Sequence, residues 1–307
     1  MAGGNPSSVG SSMGPRASRD GYPSPYVTAA AHASVRENVE RMDLTPTIVI
    51  GVEQRSAARI ARIGGDLAAG LGARVVLTHV REDVRPSNSK SQRERARHRS
   101  RRGVHEILQR ASDALPPTVD ADERLKIGGV ADQLNEIADD AGATLIVVGS
   151  RGRGGLASAL FGSVSRALAR DAPCPVMIVP DDVPVDAAKP NGDAPDGRAT
   201  IIAGVDGSKE STVAVYFAGQ LAERLGDRLL IVRPNAVADP PAHALNAISA
   251  SEDARMIVIG GDCARFPLGS SLAARLPRLA RCPVIVVPEA STPTLAELPE
   301  AEMPRAA

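Results

Sequence analysis

Gly149, Gly152, Gly162, Ser163 and Ser165 are residues whose types and spacing suit the binding of an anion. They lie in the run Gly149-Ser-Arg151-Gly152-Arg153-Gly-Gly-Leu-Ala-Ser-Ala-Leu-Phe-Gly162-Ser163-Val164-Ser165, between an apolar strand-like segment and a segment of helical spacing. Glycines at 149 and 152 let the backbone turn tightly and let a ligand approach it closely. A helix opening at Gly162-Ser163 offers unpaired N–H groups and the positive end of its dipole. Ser163 and Ser165 add hydroxyls, and Arg151 and Arg153 add charge. A di- or triphosphate fits this chemistry. Two commoner phosphate motifs are excluded by inspection: no Gly-Lys-Ser/Thr is present, and the turn after the first strand, Gly51-Val52-Glu53-Gln-Arg-Ser56, holds one glycine where a Rossmann fingerprint needs three.

The elements that position this loop follow from hydrophobic period. Thr47-Ile-Val-Ile-Gly-Val52 and Thr144-Leu-Ile-Val-Val-Gly149 are unbroken apolar runs, as in parallel strands buried on both faces. Helical spacing predicts a helix over Ala57–Leu71 closed by Gly72, a strand over Arg74–Val80, and a helix over Ser91–Ala114 stopped by Pro116-Pro117. A weaker strand near Thr118–Ile127, helices over Val130–Ala141 and Ser163–Arg170, and a last strand at Pro175–Pro180 complete the pattern. Five strands alternating with four helices predict an α/β, doubly wound parallel sheet.

The pattern then starts again. Thr200-Ile-Ile-Ala-Gly-Val-Asp206 repeats Thr47-Ile-Val-Ile-Gly-Val-Glu53, Met256-Ile-Val-Ile-Gly260 repeats Leu145-Ile-Val-Val-Gly149, and Cys282-Pro-Val-Ile-Val-Val-Pro288 repeats Cys174-Pro-Val-Met-Ile-Val-Pro180. Three matched segments in one order are an internal duplication. The second copy is shorter, and the shortfall falls between its second and fourth strands, so it lacks the basic helix and the third strand and keeps one crossover helix near Pro241–Ala254. The expected organisation is a flexible arm over 1–44 (with helical spacing at Ala29–Met42), a complete domain over 45–181, a linker over 182–198, a truncated domain over 199–289 and a flexible tail over 290–307.

Composition narrows the class further. The 307 residues carry 36 Lys plus Arg against 36 Asp plus Glu, so no global field steers the chain to nucleic acid or to an anionic membrane. No run approaches the roughly 20 apolar residues of a membrane span, no signal peptide opens the chain, and three cysteines are too few and scattered for a disulfide framework, so a cytoplasmic protein is expected. Cys174 and Cys282 sit in matching apolar runs as small hydrophobes, and Cys263 is the odd thiol on a loop. The basic run Arg93–Arg102 reads as a solvated helix face, because aromatic stacking residues are absent from it. His79 reads as a packed strand residue.

Gly149, Gly152, Gly162 and Ser163 match the G-x2-G-x9-G-[ST] motif at every spaced position, and with the flanking Leu-Ile-Val-Val and Cys-Pro-Val-Met-Ile-Val-Pro runs the sequence resembles the universal stress protein family in its tandem form. The resemblance implies a 3-2-1-4-5 strand order, ATP at the switch point, and pairing of the two domains through their last strands. It further implies adenosine contacts from Gly51, Val52 and Glu53 at the end of the first strand, from Val80 at the end of the second, and from Gly128 in the loop before the third helix. Phosphate contacts then come from Gly149, Arg151, Gly152, Arg153, Gly162, Ser163, Val164 and Ser165, with Mg2+ carried on the phosphates. Two departures stand out. Where the family has Asp-Gly-Ser, the first copy has Glu53-Gln54-Arg55, and the second copy keeps Asp206-Gly207-Ser208 but has Asp262 and Cys263 in place of Arg151 and Gly152. Asp262 repels phosphate, so the expected function is an ATP-binding stress-response regulator with one site, in the first copy, and with no catalytic or metal-ligating residues. A pseudo-dimer of the two domains and a homodimer are the expected assemblies. A nucleotide-free scaffold, a slow ATPase, and AMP or cAMP as ligand are the alternatives.

Overall fold

The computed structural model describes residues 46–81, 103–150, 162–185, 197–233, 241–261 and 272–291. The first half runs β1 (Thr47–Gly51), α1 (Ala57–Leu71), β2 (Arg74–Arg81), α2 (helical residues 103–112), β3 (Ala121–Ile127), α3 (Val130–Ala141), β4 (Leu145–Gly149), α4 (Ser163–Asp171) and β5 (Val176–Val179). The second half runs β6 (Thr200–Gly204), α5 (Lys209–Leu225), β7 (Arg228–Val232), α6 (Pro241–Ser251), β8 (Ala254–Gly260), α7 (Leu272–Leu279) and β9 (Val284–Val287). A short 3-10 turn at Glu289–Ser291 follows.

All nine strands form one sheet in the order β3-β2-β1-β4-β5-β9-β8-β6-β7. The first five positions are the 3-2-1-4-5 order, and the last four repeat it in reverse without a third strand, so β7 is an edge. Losing an edge strand shortens a sheet without leaving unpaired backbone inside it. The two sheets expected from the sequence join through the last-strand pairing that the resemblance implies: β5 and β9 pair antiparallel, Met177 opposite Ile285, and make one sheet whose other ladders are parallel.

Helices cover both faces, as buried parallel strands require. On one face α1, α2 and α5 pack on Ile48, Ile50, Leu77, Met177, Ile201, Val258 and Ile285, and on the other α3, α4, α6 and α7 pack on Val49, Ile146, Ile178, Ile202, Ile257 and Val286. Helix ends follow the sequence closely: α1, α3 and α5 each close on a glycine in the left-handed region, Gly72, Gly142 and Gly226. Differences from the sequence reading are small. The third strand starts at Ala121 rather than near Thr118, because residues up to 120 are taken up in a turn in which Val119 N donates to Pro116 O at 3.0 Å. The second-half crossover helix ends at Ser251, since Asp253 adopts a left-handed φ of 48° before β8. The expected N-terminal helix and the basic run Arg93–Arg102 lie outside the described residues.

Candidate functional site

In a 3-2-1-4-5 sheet the chain turns to opposite faces after β1 and β4, which opens a crevice beyond their carboxyl ends. The described site residues gather at that end of the sheet. Gly51 closes β1, and a Cβ there would meet Leu134 Cδ1 at 3.1 Å and Val148 Cγ1 at 3.2 Å. Val52 is buried and donates its N–H to Thr78 O at 2.8 Å, while its own carbonyl accepts from His79 Nδ1 at 2.8 Å. That bond fixes the imidazole proton on Nδ1 and ties the turn carrying Glu53 to β2. Glu53 is half-buried, as is Val80, which packs towards α3. Gly128 has a φ of 144°, open to glycine and strained for other residues, and it donates to Arg81 O at 3.0 Å.

On the β4 side, Ser150 N donates to Val179 O at 2.9 Å, and Ser150 O accepts from Gly162 N at 3.3 Å. These two bonds pin both ends of the candidate phosphate loop to the sheet. Ser165 Oγ donates to Gly149 O at 3.1 Å, so the buried Ser165 braces α4 against β4 and does not face a ligand through its proton. Ser163 is exposed, and Val164 is half-buried. Among the described residues no side chain caps α4, whose N-cap is Gly162, and its first turn presents N–H groups of the kind that suit an anion. Arg151, Gly152 and Arg153 lie outside the described residues, as does Cys263.

Sequence reasoning missed Ser56. It is the N-cap of α1, yet it makes no capping bond, and its Oγ is buried without a hydrogen-bond partner among the described residues. A Cβ on Gly149 would stand 3.7 Å from that oxygen and 3.5 Å from Ile60 Cδ1, which places the hydroxyl in the crevice between β1 and β4. The N-cap rule applied to Ser56-Ala57 would have found it. Arg55, where the sequence comparison put bulk in place of a serine, is exposed to solvent. The turn is one residue longer than in the second half, so the capping serine sits at 56. Arg59, one turn into α1, donates to Pro180 O at 2.7 Å and Val183 O at 3.3 Å and pairs with Asp181 at 3.4 Å. Burial lowers its pKa, and the Asp181 and Asp182 carboxylates oppose that shift.

The corresponding corner of the second half is closed. Asp206 Oδ1 accepts from Ser208 N at 2.9 Å and Ser208 Oγ at 2.7 Å, and Ser208 in turn caps Ser211 N at 3.1 Å. The first turn of α5 therefore packs hard on the end of β8. A Cβ on Gly260 would fall 2.7 Å from Glu210 C, Glu210 Cβ and Ser211 N, where one on Gly149 would meet its nearest neighbour, Ile60 Cδ1, at 3.5 Å. Cys174 and Cys282 are buried, and desolvation pushes both thiols up to about 12, away from the thiolate form.

Residues 45–180 match the model of the universal stress protein family. A universal stress protein of Mycobacterium tuberculosis is 40% identical over 97 residues, which are 32% of this chain and 30% of that relative, so the alignment spans less than a third of the relative's length. Another universal stress protein of the same organism is 27% identical over 303 residues, 80% of this chain and 97% of the relative. Among solved structures, a universal stress protein from Archaeoglobus fulgidus DSM 4304 superposes with a TM-score of 0.58 at 16% identity, over 79% of this chain and 98% of that one, a likeness of fold. No helix of the described residues is long and apolar enough to cross a membrane.

Proposed function

We propose that this chain, whose residues 45–180 match the universal stress protein family model, is a cytoplasmic ATP-binding stress-response regulator with a single nucleotide site in its first half. The observation that carries this reading is the asymmetry of the two crevices. A Cβ on Gly149 would meet Ile60 and the Ser56 hydroxyl, unpartnered among the described residues, at ordinary contact distance, whereas one on Gly260 would fall 2.7 Å from the backbone of Glu210 and Ser211. A buried hydroxyl without a partner favours a ligand that supplies one.

The residues present fit an adenine nucleotide. Val52, Val80, Gly51 and Gly128 offer apolar surface and close backbone approach at the β1 and β2 side, and Glu53 offers a carboxylate to ribose hydroxyls. Gly149 and the uncapped start of α4 offer N–H groups to phosphates at the β4 side. Mg2+ would travel with the phosphates, whose oxygens are hard ligands of the kind it prefers. Occupancy stabilises the folded first half by mass action, and the β5–β9 ladder carries that change to the second half, which makes the two halves a pseudo-dimer. Stability and partner contacts are then the regulated outputs.

Mass spectrometry of the ligand released from freshly purified protein tests the reading. ATP recovered near one per chain is the expected result. Recovery of AMP or cAMP corrects the ligand, and recovery of none, together with no thermal shift on adding ATP and Mg2+, favours a nucleotide-free scaffold.

A further inference from the structure

The antiparallel ladder between β5 and β9 pairs Val176 with Val286 and Ile178 with Val284. The start of β9 therefore lies at the same end of the sheet as the finish of β5, and there Val179 pairs with Gly149. Helix α7 leads into β9, so its last turn and the turn 280–283 stand at the phosphate end of the first half. Helices α4 and α7 also share a face, since Leu168 and Ala169 of the one and Leu272, Ala273 and Leu276 of the other bury into the same core. Each runs antiparallel to the strand it precedes. The amino end of α4, at Gly162-Ser163, is thus on the same side of the sheet as the carboxyl end of α7. The reciprocal contact is visible at the opposite end of the sheet: a Cβ on Gly261, at the base of the second-half loop, would stand 3.1 Å from the Ala169 carbonyl near the carboxyl end of α4.

The two helix ends differ in charge. At the end of α4, Arg170 pairs with Asp171 at 2.6 Å and the two neutralise each other. Aligned on the shared Cys-Pro, Arg278 takes the place of Arg170, but Leu279 takes the place of Asp171. Arg278 and Arg281 are exposed, and neither makes an ion pair or hydrogen bond among the described residues. The carboxylates that follow β5 in the chain are Asp181 and Asp182. Asp181 pairs with Arg59, and the chain turns there towards the α1 face, burying Val183 in that core.

We propose that Arg278 and Arg281 of the second half reach across the β5–β9 seam and supply positive charge to the phosphates of the nucleotide held in the first half. The shortened second half is then the phosphate-side wall of a site it does not itself duplicate. This inference rests on the nucleotide reading above. Guanidinium groups at a helix carboxyl end offset its negative pole, which otherwise opposes phosphate.

Calorimetric titration of the full chain with MgATP and with adenosine separates the outcomes. For R278A/R281A we expect MgATP to bind about tenfold more weakly, the usual loss for charge-assisted hydrogen bonds, with adenosine affinity unchanged and with a shallower dependence on salt. R278K/R281K should keep most of the MgATP affinity. If R278A/R281A binds MgATP as the wild type does, or loses both ligands equally, the inference is overturned and the nucleotide reading stands. If the wild type binds neither ligand, the nucleotide reading itself falls and the inference with it. The unchanged adenosine affinity doubles as the control for folding, since both side chains are exposed.

Discussion

Ser56 shows how one side chain can separate folding from binding. A buried hydroxyl without a partner costs a protein about 1–3 kcal/mol relative to one that is satisfied. Ser56→Ala removes the unsatisfied group, so the ligand-free protein should melt at the wild-type temperature or above it, while the upward shift on adding ATP should shrink. Thermal melts with and without nucleotide check both halves of that statement, and a drop in the ligand-free melting temperature would mean the hydroxyl is satisfied in the folded state. The sequence carried this residue, but the comparison with Asp206-Gly207-Ser208 placed the serine's counterpart at Arg55. One extra residue in the turn moves the cap to Ser56 and turns Arg55 to solvent. An insertion of one residue in a turn is invisible to strand-anchored alignment. His79 was legible as a packed strand residue, yet its bond to the Val52 carbonyl depends on the β1–β2 register, which spacing alone does not fix.

At the scale of elements, Gly149 and Gly260 occupy matching strand ends with different neighbours. Gly260→Ala places a Cβ 2.7 Å from backbone atoms of α5, which must shift, and overpacking of this kind costs about 1–3 kcal/mol. Gly149→Ala meets only Ile60 and Ser56 at ordinary contact distance, so its cost should stay below about 1 kcal/mol, within the reach of a residue change that forces no backbone to move. Urea denaturation of the two variants should separate their midpoints in that order, and equal midpoints would show that the second crevice is as open as the first. The elements themselves were largely legible, because apolar runs and glycine stops are local signals: α1 and α3 begin and end where periodicity places them. The filled second crevice was not, since the Asp-Gly-Ser turn looks like a binding corner in sequence and becomes a helix cap that draws α5 onto β8 only in three dimensions.

Over the whole molecule, the truncated half keeps its order through a feature the sequence did not announce. Arg255 is the extra residue in the β6–β8 ladder, between Thr200↔Ala254 and Ile201↔Met256. Its buried guanidinium meets buried Asp227 at 2.6 Å and 3.0 Å. Burial drives the Asp227 pKa up, and Arg255 opposes that shift. Removing one partner of such a pair leaves an uncompensated buried charge, so Arg255→Ala should cost about 3–5 kcal/mol, read as an earlier unfolding midpoint. A neutral result would show that water reaches Asp227. Duplication and the missing third strand were readable from matched segments, whereas the β5–β9 ladder that makes one nine-stranded sheet was legible only through the family resemblance, because the residues of those strands are those of any buried strand. The central claim is that this sheet presents one nucleotide site, not two. Calorimetric titration of the ligand-stripped full chain with ATP and Mg2+ measures it directly: saturation at one ATP per chain is expected, and saturation at two, or no binding, would overturn the one-site reading.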